Sequence, residues 1–386
     1  MSEELELLEA AKSISKQIHE RSDEIEKARR VPADISDQMA KAGLYRMGLP
    51  RSLGGFESPP ELSSRVFEIL AQGDASCAWT VFIATTSCTA LVAIPQTAAA
   101  EVFSDPETLI TGVFAPTGTA EIVDGGFRVS GRWQWGSGSE NATWVMGGCQ
   151  LLDNAEPVLS KSGQPRTHMM IMPQSEVEFL DTWHVSGLAG TGSLDYQVKD
   201  LFVPEDRAVG FASEDWEAPG PLYTFPPFTF LALGIGAVCM GIARAAIDDL
   251  VNLAVEKKRA YTPKTVSEQP VAQVKLAQAE ADLRSARLFY YDSLESAWAC
   301  AVDNQAVNID QRRDLRLATT NAVMTCARVV DAMYDLGGGS SVYENSNLQR
   351  YFRDIHVATS HIMVAPSTLE TIGRLYFGLE SNTATL

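Results

Sequence analysis

Apolar residues follow a helical period at both ends of the chain and a strand-like pattern between them. In ELELLEAAKSISKQIHERSDEIEKARR, Leu5, Leu8, Ala11, Ile14, Ile18 and Ile25 recur at helical spacing. Asp34 precedes a further helical stretch, ISDQMAKAGL, that Gly43 stops. ELSSRVFEILAQG and CAWTVFIATTSCTALVAI predict two more helices, the second apolar on every side and therefore buried. Near residue 110 the pattern changes to short apolar or alternating runs: TLITGVFAP, FRVSGRWQW, ATWVMGGCQLL, THMMIMP and YQVKDLFVP. Gly, Pro, Asp and Asn punctuate them, and Asp124-Gly125-Gly126 predicts a hairpin turn. From about residue 228 the helical period returns in four long regions, the third ending in Gly337-Gly338-Gly339 and the fourth interrupted at Pro366. The predicted class is α+β, predominantly α: a helical domain (1–110), a mostly antiparallel β domain (111–212) and a C-terminal four-helix bundle (213–386).

Charge narrows the function classes. The net charge of -18 repels phosphate backbones and anionic lipid, so nucleic acid and membrane surfaces are excluded as partners. The uncharged stretch 218–243 is long enough to suggest a span. Pro219, Pro221, Pro226 and Pro227 interrupt it, so a buried helix after a Pro-rich loop is expected instead. The N-terminus lacks a basic segment followed by an apolar core, so it is no secretory signal. Six cysteines without a CxxC spacing predict reduced core thiols in a cytoplasmic protein, with no metal site.

Three segments, in order along the chain, resemble acyl-CoA dehydrogenases: KAGLYRMGLPRSLGGFE, DTWHVSGLAGTGSLDYQVKDLFVPEDR and LGGGSSVYENSNLQRYFRDIH. SGRWQWGSGSENATW and DTWHVSGLAGTGS are similar, more narrowly, to the oxygenase components of two-component flavin monooxygenases. That resemblance implies the acyl-CoA dehydrogenase fold and reduced FAD or FMN delivered by a separate flavin reductase. It also implies O2 reacting to a flavin C4a-hydroperoxide, hydroxylation of an indole- or phenol-like aromatic, and a homotetramer. The dehydrogenases carry a catalytic glutamate just after an Arg-Asp pair. Here Arg353-Asp354 is followed by IHVATSHIMV, which holds no acid. A glutamate elsewhere, Glu256 or Glu280, keeps a dehydrogenase reading open, and a flavin oxidase or a non-catalytic assembly protein on the same fold are further alternatives.

The chemistry needs a dry pocket, hydrogen bonds aimed at the flavin, and a group that manages protons. The catalytic candidates are His361 and Ser137. His361 is expected on a helix with its ring about 140° around from that of His356, so the two cannot form a same-face metal pair. Ser137 lies between glycines at a strand end, where the resemblance implies a contact near flavin N5. The resemblance also implies cofactor contacts for Phe114, Trp135, Gly138, Trp183, Gly190, Thr191, Ser193, Gly337 and Gly338, with Arg284 and Arg353 as phosphate partners. The glycine-rich run 187–193 is no dinucleotide fingerprint, because a strand rather than a helix follows it. Trp79, Phe225 and Phe228 are aromatics near the domain junctions that suit a flat apolar substrate.

Overall fold

A computed structural model describes residues 2–161, 163–210, 220–258, 263–303 and 305–386. The N-terminal part is built from α1 (Glu3–Glu20), α2 (Ser22–Ala28), α3 (Ala33–Lys41), α4 (Pro60–Gly73), α5 (Ala75–Ala90) and α6 (Gln96–Val102). The first predicted helix is broken at Arg21 (φ -111, ψ 11), whose guanidinium pairs with Glu24 and Asp34. Asp74 caps α5, its carboxylate accepting from the Cys77 amide at 3.0 Å. As its pattern demands, α5 is buried on nearly all sides.

The middle third is one sheet of β1 (Ile110–Val123), β2 (Gly126–Gly136), β3 (Trp144–Asp153), β4 (Glu156–Pro157), β5 (Thr167–Pro173), β6 (Glu178–Leu180), β7 (Leu194–Pro204) and β8 (Ala208–Gly210). The spatial order is β6-β7-β2-β1-β3-β5-β8, with β4 on β3. The hairpin at Gly125 (φ +74) joins β1 to β2. Neighbours run antiparallel except β1 and β3, which are parallel. After β2 the chain crosses the start of β1 to reach its other side, and residues 137–143 make that crossing. The sheet closes around Trp133, which is fully buried, donates to Gly148 O at 2.8 Å and stacks on Tyr196 at 5.4 Å. Gly118, Gly131 and Gly147 make room for it: a Cβ at any of them would lie within 2.9 Å of its ring.

The C-terminal part comprises α7 (Pro221–Thr224), α8 (Pro227–Glu256), α9 (Pro270–Val302), α10 (Ile309–Gly337), α11 (Asn347–Ala358) and α12 (Ser367–Tyr376). α8 and α10 lie side by side in the same direction. Arg316 reaches Phe228 O at one end, and Lys257 donates to Gly337 O at the other. α9 packs antiparallel to both, and α11 completes the bundle. The 78% and 94% burial of the apolar windows at Ala75–Ala93 and Pro227–Glu256 marks both as core helices, although each is long and apolar enough to cross a membrane. All six cysteines are free thiols, five of them buried. No metal-holding cluster occurs among the described residues. The expected 212/213 boundary falls at residues 211–219, outside the described residues.

Candidate active site

The site forms where the crossing loop 137–143 and the turn 187–193 meet α5. At the end of β2, Trp135 adopts φ +65, a left-handed conformation that costs a bulky residue on the order of 1 kcal/mol. This bend swings the chain inward, and the Ser137 amide donates back to Trp135 O at 2.9 Å. The Trp135 side chain itself is 69% exposed. Gly138 (φ +74) follows and donates to Thr191 O at 2.7 Å, tying the two loops together. A side chain there would press on Thr80 and Thr111.

Ser137 is buried and begins a hydroxyl chain. Trp79 Nε1 donates to its Oγ at 3.1 Å. Its Oγ lies 2.7 Å from Ser193 Oγ, which lies 2.7 Å from Thr191 Oγ1. Thr191 Oγ1 donates to Leu188 O at 2.8 Å. Trp183 Nε1 donates to the same carbonyl at 3.2 Å. Two indoles thus pin the two ends of the chain. Sequence patterning treated Trp79 as a junction aromatic, and nothing local signals its bond to Ser137, 58 residues away.

The ring of His361 lies beside that of Trp79, with centroids 6.0 Å apart. The expected helix under it does not extend that far. α11 ends at Ala358, and His361 is extended (φ -69, ψ 132) at the head of the short turn Ile362–Val364. Tight turn bonds close the helix before it, the Ser360 amide donating to Val357 O at 3.1 Å and the His361 amide to Ala358 O at 3.2 Å. Met363 N donates to His361 Nδ1 at 3.2 Å. Nδ1 is therefore the acceptor, so the proton of the neutral ring sits on Nε2. Burial, with the positive charge of Arg316 added, pushes the imidazole down to about 4. At neutral pH His361 is thus a neutral Nε2–H donor. His356 points elsewhere, exposed and 2.9 Å from Asp331.

Arg316 is 2% exposed and meets no carboxylate among the described residues; its guanidinium donates to Met363 O, Thr385 O and Phe228 O. Beside it a cleft of about 830 Å³ opens, lined by Phe114, Pro226, Phe228, Val307 and Arg312 among others. Phe114 and Phe228 meet edge to face at 6.4 Å. The cleft is mostly apolar, which suits a small flat guest.

The carboxylates that a dehydrogenase reading requires are elsewhere. Glu280 is held between Arg244 and Arg284, 2.7 Å from each. Glu256 is exposed at the last turn of α8, roughly 40 Å along the helix from Phe228. Asp354 is buried behind the turn 187–193, where Leu188 N donates to it at 2.6 Å. Burial raises that carboxyl to about 7.

Several expected cofactor contacts do not gather here within one chain. Gly337 and Gly338 (φ +53) end α10 beside Lys257, roughly 30 Å along that helix from Arg316. Arg284 has a side chain 74% exposed on α9. Arg353 is engaged by Glu26 of α2 and donates to Ser186 O at 2.7 Å, fastening α11 to the N-terminal helices. Gly190 is explained by packing, since a Cβ there would lie 2.3 Å from Ile25 Cγ2.

The N-terminal domain of acyl-CoA dehydrogenases matches residues 2–100, and their C-terminal domain matches residues 233–366. The chain belongs to the acyl-CoA dehydrogenase family. Within that family it is a flavin-dependent monooxygenase, an oxygenase component that uses reduced flavin. It is 32% identical over 356 residues to an indole-3-acetate monooxygenase of Pseudomonas putida, covering 92% of this chain and 89% of that protein. It is 28% identical over 353 residues to the flavin-dependent monooxygenase oxygenase subunit HsaA of Rhodococcus jostii, with 89% and 91% covered. The fold superposes on XiaF from Streptomyces sp., solved with FADH2 and glycerol, with a TM-score of 0.89 and 26% identity over 98% and 97% of the chains. The chain thus sets a neutral histidine beside an indole that donates to a buried serine relay.

Proposed function

We propose that this chain hydroxylates a small electron-rich aromatic substrate, indole- or phenol-like, with O2 and with reduced FAD or FMN supplied by a separate flavin reductase. The observation that carries this reading is the neutral His361 Nε2–H donor beside Trp79, whose indole donates to Ser137, with Glu280 engaged by two arginines and Glu256 exposed at the far end of α8. A flat polycyclic cofactor fits the setting. Ser137 keeps one lone pair after accepting from Trp79, and the turn 187–193 offers a close backbone approach. Reduced flavin, when bound, supplies the electrons that activate oxygen.

The chain's own groups do the rest. Ser137 would meet the edge of the flavin ring, with its hydroxyl oriented by Ser193 and Thr191. His361 Nε2–H would be the proton donor available to oxygen activated there. Its Nδ1 is blocked by Met363 N–H, so it does not act as a base in this tautomer. Burial, with the nearby positive charge of Arg316 adding to it, keeps the imidazole uncharged. Phe114 and Phe228 line the mostly apolar cleft and would give a flat aromatic substrate a surface to pack against.

Supplying a flavin reductase, NADH, O2 and indole, or a phenol, tests the reading. Hydroxylated product should form with little free hydrogen peroxide. Reduction of the flavoprotein by an acyl-CoA, or peroxide released in stoichiometric amount with oxidised product and without a reductase, would refute it.

The outer face of α9 and its flanks carry Val271 (65% exposed), Val274 (57%) and Leu288 (71%), apolar surface that a homotetramer would cover. In such an assembly Gly337, Gly338 and Arg284, distant from their own Ser137, become available to a neighbour's cofactor. Free buried thiols suit a cytoplasmic enzyme. Light scattering of the purified protein should give about four times the chain mass.

A further inference from the structure

The direction of the hydroxyl chain is set by its ends. Trp79 Nε1–H can only donate, and Leu188 O can only accept. Between them lie three hydroxyls with one proton each, at 3.1, 2.7, 2.7 and 2.8 Å along the line Trp79, Ser137, Ser193, Thr191, Leu188. Thr191 gives its proton to Leu188 O. Ser193 must then donate to Thr191, and Ser137 must donate to Ser193. All three hydroxyl residues are 8% exposed or less, so water has little access to reverse the order. Ser137 is left with its proton used, one lone pair taken by Trp79, and one lone pair free.

We infer that this relay makes Ser137 an acceptor and thereby gives the site its preference for the reduced over the oxidised state of the flavin. The inference rests on the flavin reading above, in which the ring edge lies at Ser137. Two-electron reduction places a hydrogen on flavin N5, so that edge becomes a donor matched to the free lone pair. In the oxidised ring the same nitrogen offers only a lone pair, which meets another lone pair. Turning Ser137 around to donate to it would break one relay bond, because Ser193 has a single proton to give either to Thr191 or to Ser137. Ser137 therefore acts on cofactor redox state directly, and Ser193 and Thr191 are positioning residues that act through it.

Binding of FAD and FMN in both redox states, measured anaerobically by fluorescence or calorimetry on the full chain, tests this. Removing the relay beyond Ser137 frees its proton to point outward. Ser193→Ala and the nearly isosteric Thr191→Val should each shrink the ratio of oxidised to reduced dissociation constants by roughly three- to tenfold, the worth of one hydrogen bond. The change should come mainly from tighter binding of the oxidised flavin. Leu188 O keeps its Thr191 amide and Trp183 donors in Thr191→Val, so that variant leaves the turn intact. Ser193→Thr, which restores a hydroxyl, should return the ratio toward the native value. A ratio unchanged in both Ser193→Ala and Thr191→Val, with flavin still bound, overturns the relay while leaving the flavin site standing. Failure of the native protein to bind either redox state overturns both.

Discussion

His361 offers a direct reading of the site's electrostatics. Its imidazole is held down to about 4 by burial and by Arg316, against 6.5 for the free side chain. A base with a depressed value binds fewer protons folded than unfolded, so stability falls as pH drops from 6.5 toward 4. That window of about 2.5 pH units corresponds to about 3 kcal/mol at 1.36 kcal/mol per unit. Down to pH 5 the share is about 2 kcal/mol. Arg316 faces the ring from α10 and Trp79 from α5, and neither supplies a negative charge that would reverse the shift. His361→Asn is the suitable perturbation, because its Oδ1 can still accept from Met363 N while carrying no titratable group. Carbon-labelled histidine spectra of the native protein, assigned with that variant, should show the His361 imidazole unprotonated down to pH 5, distinct from that of His168, whose burial also lowers its value. Urea midpoints at pH 7 and pH 5 should fall further in the native protein than in the variant. A His361 midpoint above 6, or identical pH slopes in the two proteins, would refute the account of a buried neutral donor.

His361→Ala should uncouple flavin oxidation from hydroxylation, with peroxide rising at the expense of product in the reductase-coupled assay; unchanged coupling would remove His361 from the mechanism. Asp354, raised to about 7 by burial, binds its proton more readily folded than unfolded, so its contribution is lost as pH rises from about 4 through 7. Asp354→Asn can still accept from Leu188 N and should therefore flatten that decline, giving a higher melting temperature than native at pH 8. Gly190→Ala should cost about 1–3 kcal/mol by overpacking against Ile25, read as a lowered urea midpoint, and wild-type stability would contradict the close approach. Arg316→Met should raise the His361 midpoint in the same labelled spectra, since it removes the adjacent positive charge.

Hydrophobic periodicity alone determined the order of helical, strand and helical regions, because burial on one face leaves a repeat of 3.6 or 2 in any chain. The hairpin at Gly125 and the core character of α5 and α8 were legible for the same local reason. Motifs carried the family and drew attention to Ser137, His361 and the turn 187–193. Tertiary structure alone decided what those residues can do. It ended the last helix at Ala358, and so set His361 in a capped turn whose proton lies on Nε2. It brought Trp79 from α5 onto Ser137 and set the direction of the hydroxyl relay. It placed Arg353 on Glu26 and carried Arg284 and the Gly337 turn away from their own chain's site. Proton positions and charge states depend on partners remote in sequence, and only the packed chain brings those partners together.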